Sequence, residues 1–210
     1  RSEYIYDLAQ LIHQQNLAPL HVIAHSLGGG VALCYAGVYP ENIKKMIVIE
    51  GTGGPPGNYY DRPIHKKIGD WIEQTRKMAG RLPKRYENLE EAFERMHEAN
   101  SHLRANQARH LTAHGSDQNE DGSYSWKFDN YTHVMSPLDI LPHETRELWG
   151  RIDSPVMLVS GSESWMDSVE REKHVTYFKD ATHVTVQDAG HWVQHDQLDE
   201  FLGLTRDFFG

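Results

Sequence analysis

The feature that most constrains the fold is an apolar run that meets a serine and several glycines, Val22-Ile23-Ala24-His25-Ser26-Leu27-Gly28-Gly29-Gly30. A helical pattern follows at once, so the stretch predicts a strand, a sharp turn at Ser26 and a helix. In this context the G-x-S-x-G pattern, here with Ala24 in place of the first glycine, raises a serine on a strained elbow. We expect the small residues of the motif to let the strand and the helix approach each other closely.

The turn admits two chemical interpretations. Ser26 stands at the amino end of the predicted helix, where free N–H groups and the helix dipole favour negative charge. The backbone N–H of Leu27 is therefore the predicted donor to an oxyanion formed at Ser26. The alternative is a glycine-rich turn that holds a phosphate, but no Lys-Ser or Lys-Thr pair follows the glycines. The pattern favours a nucleophilic serine.

Strand and helix signals alternate on both sides of a long polar segment. We predict an α/β protein with a mostly parallel sheet and flanking helices, because several short apolar strands alternate with helical patterns. The polar segment, with three helical patterns and a hairpin signal near Asp121-Gly122, predicts a helical insertion. The predicted parts are core residues 1–57, a helical cap or lid over 58–147, and core residues 148–210. In the core the sequence predicts a helix over 2–17 that Pro19 ends, a strand over 20–24, and a helix that follows Ser26 and ends at Pro40. It also predicts strands over 46–49, 155–160 and 182–186. Further helices are predicted over 142–149, from about 168, and over 198–209.

A second candidate catalytic residue follows the last predicted strand, where Gly190 directly precedes His191. Open α/β sheets place their catalytic groups at the carboxyl ends of the strands. We expect His191 to take the proton of Ser26 and to return it to the leaving group. A histidine by itself is more often structural, but the chain order of serine, acid and histidine supports this pairing. His25 is expected to pack or bond behind the elbow instead.

These motifs resemble those of the α/β-hydrolase superfamily, in its branch with a helical cap inserted between two strands. The resemblance covers essentially the whole chain. It implies a partial α/β-hydrolase fold, serine hydrolase activity, no cofactor, and a small-molecule acyl substrate bound between sheet and cap. The family usually has several strands before the nucleophile strand, with a loop that supplies a second oxyanion donor, and nothing here corresponds to that loop. Four cap aromatics are expected to line an apolar pocket or to pack the cap on the sheet: Trp71, Trp126, Phe128 and Tyr131.

The resemblance leaves the acid of the site open. In the family it usually lies three residues after the glycine that ends the penultimate strand, where this chain has Ser164. Some members place the acid directly after the strand that follows the nucleophile, and Glu50 occupies that position. We predict Glu50 as the acid, with Asp167 as the second choice and Glu163 as the third. The alternative for Glu50 is a structural role as a cap on a backbone amide of the glycine loop that follows it.

Composition narrows the possible partners. A formal net charge of -9 argues against nucleic acid or an acidic membrane as a partner.

Cys34 lies within a helical pattern and is expected to be buried. His191 and His195 have a spacing that can chelate a metal on a helix, but no third ligand of suitable spacing accompanies them, so we expect no metal. Without a signal peptide or membrane-length apolar run, a cytoplasmic setting is expected.

The identity of the predicted nucleophile, a serine, also narrows the range of reactions. Dehalogenases and epoxide hydrolases of the family carry aspartate at the position of Ser26, which argues against both activities. Hydrolysis of a carboxylic ester, thioester or lactone through an acyl-enzyme is the main prediction, and cleavage of a carbon–carbon bond next to a carbonyl is the alternative reaction. The alternative class is a catalytically incomplete fragment that acts as a binding module. Such a fragment would self-associate or pair with a chain that supplies the missing strands.

Overall fold

The computed structural model describes residues 1–53, 59–165 and 168–210. The chain forms two compact units, one from Arg1–Tyr60 with Asp139–Gly210 and the other from Asp61–Leu138. The first contains the sheet and the second lies within the predicted insertion, whose role as a cap stays a prediction. No helix in the described ranges is long and apolar enough to cross a membrane. In chain order the elements are α1 (Ser2–Gln14), β1 (Leu20–His25), α2 (Leu27–Val38), β2 (Ile43–Ile49), α3 (Ile64–Met78), α4 (Leu89–Ala99), α5 (Ala105–Gly115), β3 (Ser116–Gln118), β4 (Tyr124–Trp126), α6 (Pro142–Trp149), β5 (Val156–Gly161), α7 (Ser168–Val175), β6 (Ala181–Val186), α8 (Val193–Asp196) and α9 (Leu198–Phe209).

The first unit is built on a parallel sheet with the strand order β1-β2-β5-β6. Alternate residues of β2 point to opposite faces of the sheet and pack into two separate hydrophobic cores. Met46 and Val48 pack with residues of α1, α2 and α6, whereas Ile47 and Ile49 pack with residues of α8 and α9. A parallel sheet covered on both faces needs such continuously apolar strands. The predicted α/β class is therefore confirmed. Cys34 of α2 is fully buried, as expected, and burial raises the pKa of its thiol.

The register of the strands brings their carboxyl ends together. His25 pairs with Ile49, Ile49 pairs with Val159, and Gly161 pairs with Val186. Because all four strands run parallel, the loops that follow them leave the sheet along the same edge. The segments that carry the candidate site residues begin at this edge.

Two predicted boundaries in the core are wrong by three residues. The first helix ends at Gln14 instead of residue 17, because Asn16 adopts a left-handed φ of 51°. The second strand begins at Ile43, three residues before the predicted start. Its early part holds two lysines and breaks the apolar pattern. The Lys45 ammonium nevertheless donates to the carbonyl oxygen of Phe208 at 2.7 Å, at the end of α9.

The second unit has its own small core. It holds α3, α4 and α5 together with the hairpin of β3 and β4, whose turn contains Gly122 at a φ of 84°. Trp126 donates its indole N–H to the Tyr86 hydroxyl at 3.3 Å and stacks on Phe128 with ring centroids 6.3 Å apart. Trp126 therefore packs against residues of its own unit, and the two roles expected for it stay predictions.

The close approach of the elbow to the sheet occurs at Gly29, one position after the motif glycine. A Cβ atom at Gly29 would lie 2.8 Å from the Gly51 Cα and 2.9 Å from the Val48 Cγ1. A Cβ atom at Gly28 would meet no described atom within 4 Å. The expectation that the motif's own small residues carry the close approach is wrong at Gly28, because that position of the helix faces away from β2 and the loop after it.

This crowding predicts unequal effects for two neighbouring substitutions. We expect Gly29→Ala to lower the free energy of unfolding by about 1–3 kcal/mol, because the new methyl group collides with backbone that cannot move freely. Gly28→Ala is the matched control and should be neutral or stabilise the fold by about 0.5–1 kcal/mol, since alanine is the better helix former. Urea unfolding of the two variants measures the difference. Equal stabilities would contradict the packing at Gly29.

Candidate active site

Ser26 lies on a strained turn between β1 and α2. Its φ of 53° and ψ of −125° place a non-glycine residue in a rarely occupied conformation. Such backbone costs about 1–3 kcal/mol and concentrates at functional sites. The turn is held on both sides: the Ser26 N–H donates to the Ile49 carbonyl at 2.8 Å, and the Ser26 carbonyl accepts from the Gly30 N–H at 3.2 Å. The predicted strand–turn–helix elbow is present.

His191 meets Ser26 although the two residues are 165 positions apart in the chain. The His191 Nε2 lies 2.9 Å from the Ser26 Oγ. This is hydrogen-bond distance, and it is the geometry in which an imidazole can take the hydroxyl proton. The structure thus brings together the two residues predicted as nucleophile and base.

The loop that carries His191 is held by contacts to its backbone. The Gly190 N–H donates to the Oδ2 of the buried Asp196 at 2.8 Å. The end of β5 packs directly on this loop, because a Cβ atom at Gly161 would lie 2.2 Å from the Ala189 carbonyl oxygen. The loop therefore holds His191 at a set distance from the sheet edge.

His25 supports the same loop from behind the elbow. Its Nε2–H donates to the His191 carbonyl oxygen at 2.8 Å, and the two imidazole rings lie 4.7 Å apart between centroids. Burial lowers the pKa of His25, which keeps its ring neutral beside His191 at neutral pH. This matches the expected packing role and leaves His191 as the histidine that faces Ser26.

Glu50 directly follows β2, and its side chain is completely buried. Its φ of 51° is a second strained position at the same sheet edge. The Gly161 N–H donates to the Oε1 at 2.9 Å, and the Ser164 hydroxyl donates to the Oε2 at 2.7 Å. A carboxylate in so dry a place needs such donors, because burying a charge without partners is costly.

The same carboxylate lies beside His191. The Glu50 Oε2 is 3.6 Å from the His191 Nδ1, on the side of the ring opposite Ser26. The distance exceeds that of a hydrogen bond, yet it is short enough for a carboxylate to stabilise an imidazolium. In the described part of the chain the Nδ1 atom is buried without a hydrogen-bond partner. Carboxylate, imidazole and hydroxyl thus stand in the order that proton transfer from serine requires.

The other two candidate acids are placed differently. Asp167 lies outside the described residues. The Glu163 side chain is exposed, and its backbone N–H donates to the Ala189 carbonyl oxygen at 2.9 Å. Of the two candidates among the described residues, Glu50 is the one that lies beside His191. Its role as the acid stays a prediction.

The remaining candidates concern the oxyanion and metal binding. Leu27 is the first residue of α2, so its N–H belongs to the first turn, where the helix offers no acceptor. In the described ranges, no group of three His, Cys, Asp or Glu side chains is placed to hold a metal ion. The His195 ring packs against Trp192, with centroids 5.3 Å apart.

Sequence reasoning missed the groups that hold the site in place. The Gly161 amide and the Ser164 hydroxyl both bond Glu50, and Asp196 bonds the loop before His191. Backbone amides carry no sequence signal, so Gly161 could not be found. Ser164 had a signal, since it occupies the position where the family usually places its acid, but only the fold shows what its hydroxyl contacts.

Comparison with known proteins decides the family. A family model described as the alpha/beta hydrolase fold matches residues 2–198. The chain is an α/β hydrolase. The match spans nearly the whole sequence, including Ser26, Glu50 and His191.

The curated relatives of this α/β hydrolase include, at low identity, a protein provisionally named an esterase/lipase and a protein named as a hydrolase of oxo-dienoates. A Haemophilus influenzae protein provisionally named an esterase/lipase is 25% identical over 211 residues, which cover 96% of this chain and 64% of that protein. A 2-hydroxy-6-oxononadienedioate/2-hydroxy-6-oxononatrienedioate hydrolase of Pseudomonas putida is 23% identical, covering 96% of this chain and 66% of that protein. The chain therefore spans about two thirds of the length of these two relatives.

A solved structure shows the same fold. The hypothetical protein PA1622 of Pseudomonas aeruginosa PAO1 superposes with a TM-score of 0.82 at 20% identity, over 99% of this chain and 72% of that one. At this identity the likeness supports the α/β-hydrolase architecture and carries no information on substrate.

Proposed function

We propose that this α/β hydrolase cleaves an ester-like small molecule, a carboxylic ester, thioester or lactone, through an acyl-enzyme on Ser26. The observation that carries the proposal is the 2.9 Å contact between the Ser26 Oγ and the His191 Nε2, made on a strained elbow. A related protein provisionally named an esterase/lipase supports the same reaction class.

The reaction follows from the positions of three groups. The Ser26 Oγ attacks the carbonyl carbon while the His191 Nε2 accepts the hydroxyl proton. The negative oxygen that forms is bound by the Leu27 N–H at the start of α2. The intermediate then expels the alkoxide or thiolate, which takes the proton from His191. A water molecule next gives its proton to His191 and its hydroxide to the acyl carbon, and Ser26 leaves with the proton restored.

Glu50 acts on the far side of the imidazole. Its carboxylate favours the tautomer with hydrogen on the His191 Nδ1, which leaves Nε2 free to accept the Ser26 proton. It also stabilises the imidazolium that forms during attack. The 3.6 Å separation can shorten when the ring becomes charged, since catalytic hydrogen bonds are often long in unliganded enzymes.

Trp165 is the proposed contact for the apolar part of the substrate. Its side chain is 67% exposed, and its ring centroid lies 6.1 Å from that of His191. A large exposed aromatic ring beside a reactive pair offers an apolar surface to an acyl or aryl group. The two roles predicted for the four cap aromatics stay predictions.

The Pseudomonas putida relative favours one competing reaction, hydrolysis of a carbon–carbon bond next to a carbonyl. The same serine, histidine and acid can serve both reactions. Parallel assays with aryl esters and with a 2-hydroxy-6-oxo-dienoate separate them. An incomplete fragment that self-associates, or pairs with a chain supplying further strands, is the competing class, and a cytoplasmic setting stays a prediction.

A fluorophosphonate probe tests the proposal on the 210-residue chain. The expected result is one phosphonyl adduct in the intact mass, together with hydrolysis of p-nitrophenyl esters. Heat-denatured chain is the control and should take up no probe, because an isolated serine is not nucleophilic. A folded chain that takes up no probe and hydrolyses no ester would contradict the proposal and favour the binding module.

A further inference from the structure

We propose that Ser164 is a positioning residue, whose hydroxyl fixes the Glu50 carboxylate in the orientation that serves His191. The inference rests on the proposed function. Ser164 carries no charge and lies three residues after the strand β5, which ends at Gly161. Its Oγ lies 2.7 Å from the Glu50 Oε2, the same oxygen that lies 3.6 Å from the His191 Nδ1.

A single turn presents two donors to the carboxylate. The Ser164 N–H donates back to the Gly161 carbonyl oxygen at 3.3 Å and so closes the turn. The Gly161 N–H and the Ser164 hydroxyl then point to different oxygens of Glu50. The terminal torsion of a glutamate is soft, so a carboxylate is not oriented by its own side chain. Two donors on two different oxygens fix the plane of the group.

This arrangement leaves room for the imidazole. Each carboxylate oxygen can accept two hydrogen bonds. The Glu50 Oε2 accepts from the Ser164 hydroxyl at 2.7 Å and also lies 3.6 Å from the His191 Nδ1, so the oxygen that Ser164 holds is the one beside the imidazole. A hydroxyl is well suited to this position because it stabilises the carboxylate without adding a charge, whereas a second carboxylate here would repel the first.

Removal of the Ser164 hydroxyl tests the inference through kinetics. We expect Ser164→Ala to lower kcat for p-nitrophenyl ester hydrolysis by about 10- to 100-fold while KM changes by less than about twofold, because a misoriented acid affects the transition state and not substrate binding. Ser164→Thr keeps the hydroxyl and should restore kcat to within about threefold. Ser160→Ala is the matched control: Ser160 lies in β5, its hydroxyl contacts the His183 Nε2 of β6 at 2.9 Å, and its removal should leave kcat unchanged.

A double-mutant cycle separates positioning from a general structural effect. In a Glu50→Gln background, Ser164→Ala should lower the rate by less than about twofold further, because no carboxylate remains to be oriented. The rates are measured in single turnover, so that slow variants remain quantifiable. If Ser164→Ala costs the same factor in both backgrounds, or costs no more than Ser160→Ala, the inference is wrong.

Crystal structures of the wild type and of Ser164→Ala decide the inference without any activity. We expect the Glu50 carboxylate to rotate in the variant, so that the Oε2 no longer faces the His191 Nδ1. An unchanged carboxylate would overturn the positioning role even if the enzyme is active. A wild type that takes up no fluorophosphonate would instead overturn the proposed function, and the crystal structures would still report on Ser164.

Discussion

Replacement of Ser26 by alanine is expected to remove ester hydrolysis, with kcat lower by about 10⁴-fold or more. In the proposed mechanism the Ser26 hydroxyl is the attacking group, and it lies at hydrogen-bond distance from the His191 Nε2. The mutation deletes one oxygen and its 2.9 Å contact with His191, while the hydrogen bonds that hold the turn belong to the backbone. The fold should therefore survive. Kinetics with p-nitrophenyl esters and the mass of the fluorophosphonate adduct measure the effect.

The control for this experiment is a serine in the same sheet. Ser160→Ala should hydrolyse esters at the wild-type rate and should still take up one phosphonyl group, because Ser160 bonds His183 away from the elbow. In urea unfolding, the free energy of unfolding of Ser26→Ala should lie within about 0.5 kcal/mol of the wild-type value. A folded Ser26→Ala protein that hydrolyses esters at the parent rate would remove Ser26 from the mechanism. An adduct that persists in the variant would show that the probe labels another residue.

Much of the site could be predicted because its members follow strands. The apolar runs before Ser26, Glu50 and His191 predict parallel strands, and parallel strands end at one edge of a sheet. A residue placed just after such a strand is therefore brought to the others whatever the intervening chain does. The pairing of Ser26 with His191 followed from this rule together with the elbow motif at Ser26 and the Gly190-His191 pair.

The packing that fixes these residues could not be predicted. The crowding at Gly29 depends on where Gly51 lies after β2, and the two are joined only through the register of separate strands. The bond from Ser164 to Glu50 depends on a turn whose shape no local pattern encodes. The end of the first helix was missed for a simpler reason: Asn16 tolerates a left-handed backbone, and this ends the helix before the proline does.

The identity of the acid gives the second large effect. We expect Glu50→Gln to lower kcat by about 10²- to 10⁴-fold while the fold is kept. Glutamine has nearly the same shape, and its oxygen still accepts from the Gly161 N–H. It lacks the negative charge, however, and its amide group can donate to the His191 Nδ1. That contact favours hydrogen on Nε2, the tautomer that cannot take the Ser26 proton. Single-turnover kinetics with an aryl ester measures the loss.

Asp167→Asn is the comparison that makes this result specific. If Glu50 is the acid, the asparagine variant should retain kcat to within about threefold, and Glu163→Gln should do the same because the Glu163 side chain is exposed. A large loss in Asp167→Asn with little loss in Glu50→Gln would move the acid to Asp167. Glu50 would then be a buried structural carboxylate that binds the Gly161 amide and the Ser164 hydroxyl. The ranking of the two variants therefore distinguishes a charge that acts on His191 from one that only holds two loops together.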